Sequence, residues 1–461
     1  MRRAQALAFP LLLVLLSVIG PAQTFRGGIS GMVTDQSGAV IASAVIKAVN
    51  SATSLSYATI SSNAGEFSFQ DLPLGDYSVS VEFPGFEPLR VNAVRVSAGA
   101  IYNLAVKLRV AQASSTVEVS AAAVTVDTSS AAQTNVVPTK TVEDLPINGR
   151  NFTQLIATAP GFSGYGGSGG FNGSRSGQVN QQIEGIDNND AANNSSAANQ
   201  GGIQSIPGVL LPLDALEEFS VQSQGGAETG RSPGAVVNLI IKSGTNQLHG
   251  SLYYYNRNEF FAAASPFAAP GTPKSELRNQ HFGGSFGGPI RKDRTFYFVT
   301  YEEQKFIIGQ ATYATEPSYA YQAAATQLLN QYGVRINPVA QGLLNTLWPA
   351  SLLTGPAAPN NYYATTPETG YSHNGLIKID HSINNNNRLS LRWYVGQGSQ
   401  TAPLSSFIPY YYQVGPMHVH NYAAVLNTTL SPSMTNQLLL GVNYFHQAFH
   451  DAYSGFDPAA S

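Results

Sequence analysis

From Gln247 onward, apolar and polar residues alternate nearly one for one, and that period of two leaves few folds open. Leu389, Leu391, Trp393 and Val395 alternate with Arg388, Ser390, Arg392 and Tyr394. Ile377 and Ile379 alternate with Lys378 and Asp380 across a turn at Asn384–Asn387. Val419–Leu430 pairs in the same way with Asn436–Phe449 around Ser431-Pro432-Ser433, a register that sets His418 opposite His446. Gly283–Pro289 and Thr295–Glu302 make another such pair around Arg291-Lys292-Asp293. Strict alternation bounded by turn residues predicts antiparallel hairpins with one face buried. Short turns, one apolar face and tyrosine-rich strand ends fit an outer-membrane barrel; a soluble antiparallel sandwich shares the alternation but not the tyrosines.

Composition supports the barrel. Only 11% of the residues are charged, the net charge is −3, and there are 44 glycines, 23 tyrosines and 22 phenylalanines. Alternating strands average out, so a mean hydropathy of −0.07 does not argue against lipid. No basic field is present, which excludes nucleic acid as the expected partner. Without cysteine there is neither a disulfide nor a thiolate metal site. Met1–Ala22 reads as a signal peptide: Arg2 and Arg3, an apolar Leu7–Ile19, then Gly20-Pro21-Ala22. Its apolar core is too short to cross a bilayer as a helix.

Residues 23–112 form a separate unit. Ile29–Thr34, Val45–Val49, Ser56–Ile60, Glu66–Phe69, Tyr77–Val81 and Ala105–Leu108 are strand patterns divided by turn signals such as Pro73-Leu74-Gly75-Asp76. Short strands at this spacing predict a small β-sandwich. Thr116-Val117-Glu118-Val119-Ser120 follows a small-residue linker and alternates strictly. It reads either as a segment that a partner's sheet edge captures, or as the first strand of the next domain.

Residues 113–246 hold that linker and a second globular region, an expected α+β plug. The chain is organised around Leu213–Ser251, which leads from this region into the hairpins; within it Ala235–Ile241 is an apolar run with turn signals on both sides, hence a strand buried on both faces. Ile183-Glu184-Gly185-Ile186-Asp187 reads as a short strand with a tight polar turn. Arg150, Arg175, Glu184, Asp187 and Arg231, with Glu217, Glu218 and Glu228, are the expected polar contacts between plug and wall. Such pairs lose little on transfer to water, so a plug held by them rearranges at modest cost.

Enzyme motifs fail on context. Gly164–Gly169 satisfies G-x-G-x-x-G, and Gly166–Gly170 and Gly283–Gly287 satisfy G-x-S-x-G, but none has the strand-to-helix setting that chemistry needs. Catalytic, cofactor and metal sites are therefore not expected. Glu184 and Asp187 lack calcium-loop spacing, and His418, His420 and His446 lack an evident further ligand and are placed at an aqueous rim. Tyr253-Tyr254-Tyr255 is read as an interfacial girdle.

At this point a resemblance appears. LPINGRNFTQL, GSRSGQVNQQIEGIDNND, LDALEEFSVQS, AETGRSPGAVVNLIIKSGTNQLHGSLYYYNRNEF and NQHFGGSFGGPIRKDRTFYFVTYEE resemble TonB-dependent outer-membrane receptors of the Oar-like type, from Leu145 to Glu303. The segment GxVTDxxGAVIASAVIKAVN with AGEFSFQDLPLGDYSVSVEFPGF resembles the carboxypeptidase regulatory-like domain, which implies a transthyretin-like, carbohydrate-binding-like fold. The resemblance implies a plug within a barrel in the cell outer membrane, energised by TonB–ExbB–ExbD, taking up a siderophore, oligosaccharide or peptide. Residues 116–120 would be the TonB contact. Plugs of this kind usually carry Asp where Glu184 stands. The alternative function is an exported, non-transporting β-protein that binds carbohydrate or matrix. Residues 247–461 are expected to supply about eight barrel strands; a transporter barrel of ~22 strands at ~10 residues each needs ~220 residues before any loop. The barrel is therefore expected to be incomplete in this chain.

Overall fold

The computed structural model describes residues 26–461, apart from 112–116, 121–133, 139–140, 143–144, 146, 166–167, 192–193, 200–205, 224–233, 265–270, 272–273, 350, 352, 404–411, 432–433 and 453–461. The signal-peptide reading of Met1–Ala22 lies outside them. The fold is mainly β throughout. Among the described residues, no helix is long and apolar enough to cross a membrane.

The first unit contains β1 (Gly27–Thr34), β2 (Val45–Asn50), β3 (Ser56–Ile60), β4 (Glu66–Leu72), β5 (Gly75–Glu82), β6 (Leu89–Val96) and β7 (Ile101–Lys107). They build two sheets, β4-β1-β7 and β3-β2-β5-β6, with alternate residues turned inward. Ile29, Val33, Ile46, Phe67, Phe69, Tyr77, Val79 and Val81 fill the space between them. Phe67, Phe69 and Tyr77 are thus core rather than sugar platforms. Strand β6 escaped the sequence pattern because its inward Leu89, Val91, Val94 and Val96 fall out of a single alternation: Ala93, at φ 58°, shifts the register.

The alternative reading of residues 116–120 as the first strand of the next domain is corrected. Val117–Ser120 is strand β8, and it is not the first strand of the plug. It lies parallel to β6 and extends the sandwich's second sheet to β3-β2-β5-β6-β8.

The plug is a mixed five-stranded sheet in the order β13-β12-β15-β14-β9. Its strands are β9 (Thr134–Pro138), β12 (Asn180–Ile183), β13 (Ile186–Asp187), β14 (Leu216–Gln222) and β15 (Val236–Ile241); a small hairpin, β10 (Phe162–Tyr165) and β11 (Ser168–Phe171), stands apart. All six residues of β15 are buried, as its continuous apolar run predicts. Burying a Val, Leu or Ile side chain is worth roughly 1.5–3 kcal/mol, so this strand anchors the plug. Phe219 on β14 is fully buried, with its ring 6.4 Å from that of Phe152. Phe219→Ala should destabilise the plug by ~3–5 kcal/mol. Faster proteolysis within residues 134–241 is the readout; an unchanged rate would show that the core collapses around the void.

The last unit is one eight-stranded sheet. Strands β16 (His249–Asn258), β17 (Leu277–Arg291), β18 (Thr295–Ala314), β19 (Tyr362–Ser382), β20 (Asn387–Pro403), β21 (Tyr412–Ser431) and β22 (Met434–Gln447) follow in order, and β23 (His450–Asp451) also pairs with β21. Registers match the hairpins read from sequence, including His418 opposite His446. Among the described pairings, β16 is not joined to β22, so the barrel wall is open. Two helices, α1 (Tyr319–Gln331) and α2 (Pro338–Leu347), sit in the long β18–β19 connection. The short turns at β17–β18, β19–β20 and β21–β22 share the opposite end. Leu391, Trp393, Tyr422, Leu440 and Val442 point outward and are exposed, an apolar face suited to lipid.

Candidate functional site

The plug sits against the inner face of this wall, and its most deeply buried charged contact starts at a turn. Glu184 and Gly185 connect β12 to β13 with φ of 50° and 78°, and Ile183 pairs with Ile186 on either side. A two-residue hairpin loop with both φ positive suits Asn-Gly or Asp-Gly, because short side chains tolerate the left-handed region. Glutamate there carries a backbone strain of roughly 1–2 kcal/mol. Its extra methylene extends the carboxylate's reach toward the wall.

Lys378 Nζ of β19 donates to Glu184 Oε1 at 2.5 Å, and Arg392 Nε of β20 donates to Oε2 at 3.1 Å. All three side chains are at most 6% exposed. Neighbouring polar groups add further bonds, while Arg392 Nη1 is buried without a hydrogen-bond partner among the described residues. Lys378 also donates to the Ile241 carbonyl at 3.0 Å, and Arg392 Nη2 donates to the Ile183 carbonyl at 3.1 Å and to Asn421 Oδ1 at 2.7 Å. Asn421 in turn donates to the Asp187 carbonyl at 3.1 Å. One plug carboxylate is therefore held by two wall cations from adjacent strands.

A second cluster forms at the other side of the plug. Arg150, the last residue of the short 3-10 turn Asn148–Arg150, donates to Asp214 Oδ2 at 2.5 Å and lies 3.4 Å from Glu302 Oε2 of β18. Its guanidinium stacks on Tyr253 and Tyr255, 4.7 and 4.3 Å from the ring centres. Glu302 also accepts from Tyr253 Oη at 2.7 Å and has His281 Nδ1 at 3.1 Å. This corrects the girdle reading of Tyr253-Tyr254-Tyr255. Residues i and i+2 of a strand share a face, so Tyr253 and Tyr255 meet the plug, while Tyr254 is exposed outward.

Other expectations divide. Asp187 caps its own turn, accepting from Asn189 N at 2.8 Å, and reaches the wall through its carbonyl. Arg175 is exposed in a turn, where its N–H donates to Gln178, and joins neither cluster. Arg231 and Glu228 lie outside the described residues. Glu217 and Glu218 meet the sandwich instead of the wall. The expectation of purely polar seating is also incomplete: Val209 and Leu211 of the plug share one apolar cluster with Tyr394, Met417 and Val419 of the wall. Wall partners Lys378, Arg392 and Glu302 read only as the polar half of an alternation, which does not say what they face.

The sandwich is docked at the short-turn end. Glu218 is 1% exposed and accepts from Ala98 N at 2.8 Å, Ser97 Oγ at 3.1 Å and Arg95 Nη2 at 3.3 Å. Arg388 stacks on Tyr57 at 3.8 Å and donates to the Ser56 carbonyl, and Gln437 donates to Asp71. Burial pushes the Glu218 carboxyl above its ordinary 4.5, although its donors and Arg95 pull the other way. A raised folded-state pKa means that this group's contribution to docking is full below the ordinary carboxylate pKa and declines as pH rises through the raised one. Glu218→Ala should abolish that pH dependence and weaken docking by ~1–3 kcal/mol, since the buried Ala98 N–H loses its acceptor. Limited proteolysis between sandwich and plug across pH 4–8, read as about one cleavage rate per pH step, checks both.

No metal centre emerges: among the described residues there is no group of three or more His, Asp or Glu placed to hold an ion. His418 and His446 have ring centres 6.3 Å apart.

Residues 240–461 match the family described as an outer membrane beta barrel domain, and residues 28–109 match the carboxypeptidase regulatory-like domain. The TonB-dependent transporter Oar of Myxococcus xanthus is 27% identical over 259 residues, covering 51% of this chain and 22% of that protein. The chain thus corresponds to about a fifth of its curated relative's length. Among solved structures, the outer membrane transporter YddB of Escherichia coli aligns with a TM-score of 0.47 at 14% identity, over 69% of this chain and 40% of that one. The siderophore receptor PirA of Acinetobacter baumannii aligns with a TM-score of 0.36 at 14% identity, over 70% and 49%. The chain thus matches the outer membrane beta barrel domain over residues 240–461 and the carboxypeptidase regulatory-like domain over residues 28–109. More particularly, about half of the chain is similar to the TonB-dependent transporter Oar, a name that describes a transporter rather than an enzyme.

Proposed function

We propose that this chain works as a TonB-dependent outer-membrane receptor that takes up a bulky nutrient, with residues 23–112 as accessory sandwich, 113–246 as contact segment and plug, and 247–461 as barrel wall behind a signal peptide at 1–22. The observation that carries the reading is the Glu184–Lys378–Arg392 contact. It seats a separately folded domain against the inner wall by charge as well as by packing. A fixed core would gain more from apolar residues of the same volume, whereas an ionic contact lets the plug leave once water enters. Force on residues 116–120, supplied by TonB with ExbB and ExbD, would shift the plug and open a path along the wall. Substrate would be a siderophore, an oligosaccharide or a peptide, bound at the long-loop end.

A photo-reactive residue at Glu118 tests the energising step in whole cells. The expected result is a covalent adduct with TonB from outer-membrane material. An outer-membrane protein that gives no such adduct would sink the TonB-dependent reading.

A further inference from the structure

We propose that the outward face of β17 and β18 carries a binding groove for a membrane lipid with an anionic, phosphate-bearing headgroup. This rests on the reading of residues 247–461 as a wall that stands in lipid. Residues two apart on a strand share a face. Toward the long-loop end, one face of β17 runs Phe286, Gly284, Phe282, Gln280 and Arg278, and β18 beside it runs Val299, Tyr301, Glu303 and Lys305. These positions alternate with His281 and Glu302, which meet the plug cluster, so the face points away from the plug. Phe282, Phe286 and Tyr301 are accordingly exposed. Gly284 pairs with Tyr301, Phe282 with Glu303 and Gln280 with Lys305, so both strands change from apolar to charged at one place.

The apolar half is a shallow hollow of about 710 Å³ between Leu252, Phe282, Phe286, Val299 and Tyr301. Its floor is Gly284, where even a Cβ would run into Leu252 and the Ser251 carbonyl. An acyl chain laid in the hollow gains contacts on several sides, where a flat wall offers one. Next to it, toward the long-loop end, lies a polar groove of about 830 Å³ that includes Arg278, Gln280, Lys305 and His373. Glu303 is the acid of this groove. It is only 10% exposed and is engaged by Lys305 at 2.8 Å, His373 at 3.5 Å and Tyr301 Oη at 3.4 Å. Lys305 and Arg278 are 63% and 59% exposed, and Arg278 has an acidic contact with Glu276 at 3.3 Å. An ammonium carries several N–H donors and a guanidinium more, so both bases keep donors for a phosphate, the anion they bind most strongly. Hollow and groove meet at the Phe282–Glu303 pair. A lipid with its chain in the first therefore sets its phosphate in the second.

Trp348 and Trp393 are the chain's two tryptophans. Phe282→Trp combined with Trp348→Phe and Trp393→Phe thus puts a single fluorescent reporter at the junction of hollow and groove. The full chain is inserted into phosphatidylcholine vesicles that hold a small fraction of brominated lipid, either phosphatidylglycerol or phosphatidylcholine. Brominated phosphatidylglycerol is expected to quench the reporter about fivefold more effectively per molecule than brominated phosphatidylcholine. Adding Arg278→Ala and Lys305→Ala should erase that preference. Trp393, kept alone by Trp348→Phe, is the control: Val395, Gln397 and Ser399, the next residues on its strand face toward the long-loop end, carry no charge. It should be quenched equally by the two lipids. Equal quenching of the Phe282→Trp reporter would overturn the groove, as would a preference that outlives both bases or that Trp393 shares. No quenching by either lipid would refute the lipid-facing wall itself, a failure distinct from that of the groove.

Discussion

Glu184→Gln is expected to destabilise the seated plug by ~3–5 kcal/mol while leaving the side-chain volume nearly unchanged. The carboxylate is the anionic partner of both Lys378 and Arg392, and each cation is buried against the plug. Neutralising it strands two charges that cannot reach water without moving β12 and β13. Lower urea midpoints for hydrogen exchange across residues 180–187 give the readout. High salt should change little in the parent, because a buried contact is poorly screened. Two further variants separate charge from strain. Glu184→Asp keeps the charge and eases the positive φ but shortens the reach, so it should fall between parent and Gln. Glu184→Gln combined with Lys378→Met and Arg392→Met removes every stranded charge and should recover most of the loss, as replaced buried ion pairs do. If the triple variant is as weak as the single one, the contact is not electrostatic in origin.

Arg150→Ala should cost a similar ~3–5 kcal/mol, for a related reason. It leaves Asp214 and the buried Glu302 without their shared cation, and it removes the planar group that lies over Tyr253 and Tyr255. Arg150→Lys tests the planar part. Lysine keeps the charge but cannot stack and bridge two carboxylates at once, so it should restore less than half of the loss. Exchange at residues 148–158 and the fluorescence of nearby tyrosines report the change. Full rescue by lysine would reduce the stacking to mere proximity.

Much of this architecture is visible in local pattern. A period of two predicted the wall hairpins and their registers, down to His418 opposite His446, because side chains of a half-buried strand must alternate. The unbroken apolar run at Ala235–Ile241 predicted the doubly buried β15 for the converse reason. Glu184 stood out as a plug–wall candidate, but its partners did not, since alternation shows only that Lys378 and Arg392 share a face. Arg175 looked equivalent in sequence and lies elsewhere, in an exposed turn. The Glu217-Glu218 pair looked like wall contacts and instead binds the sandwich.

By itself, the sequence determined what depends on neighbours a few residues away: strand periodicity, turn positions, the sandwich, plug and wall, and the family likeness carried by short motifs. Only the tertiary structure decided which charges meet across 194 residues from Glu184 to Lys378, or that residues 117–120 lie on β6. Long-range pairing is fixed by packing three units together, and no local pattern encodes which of several equivalent polar side chains will be left facing a partner in the dry interior.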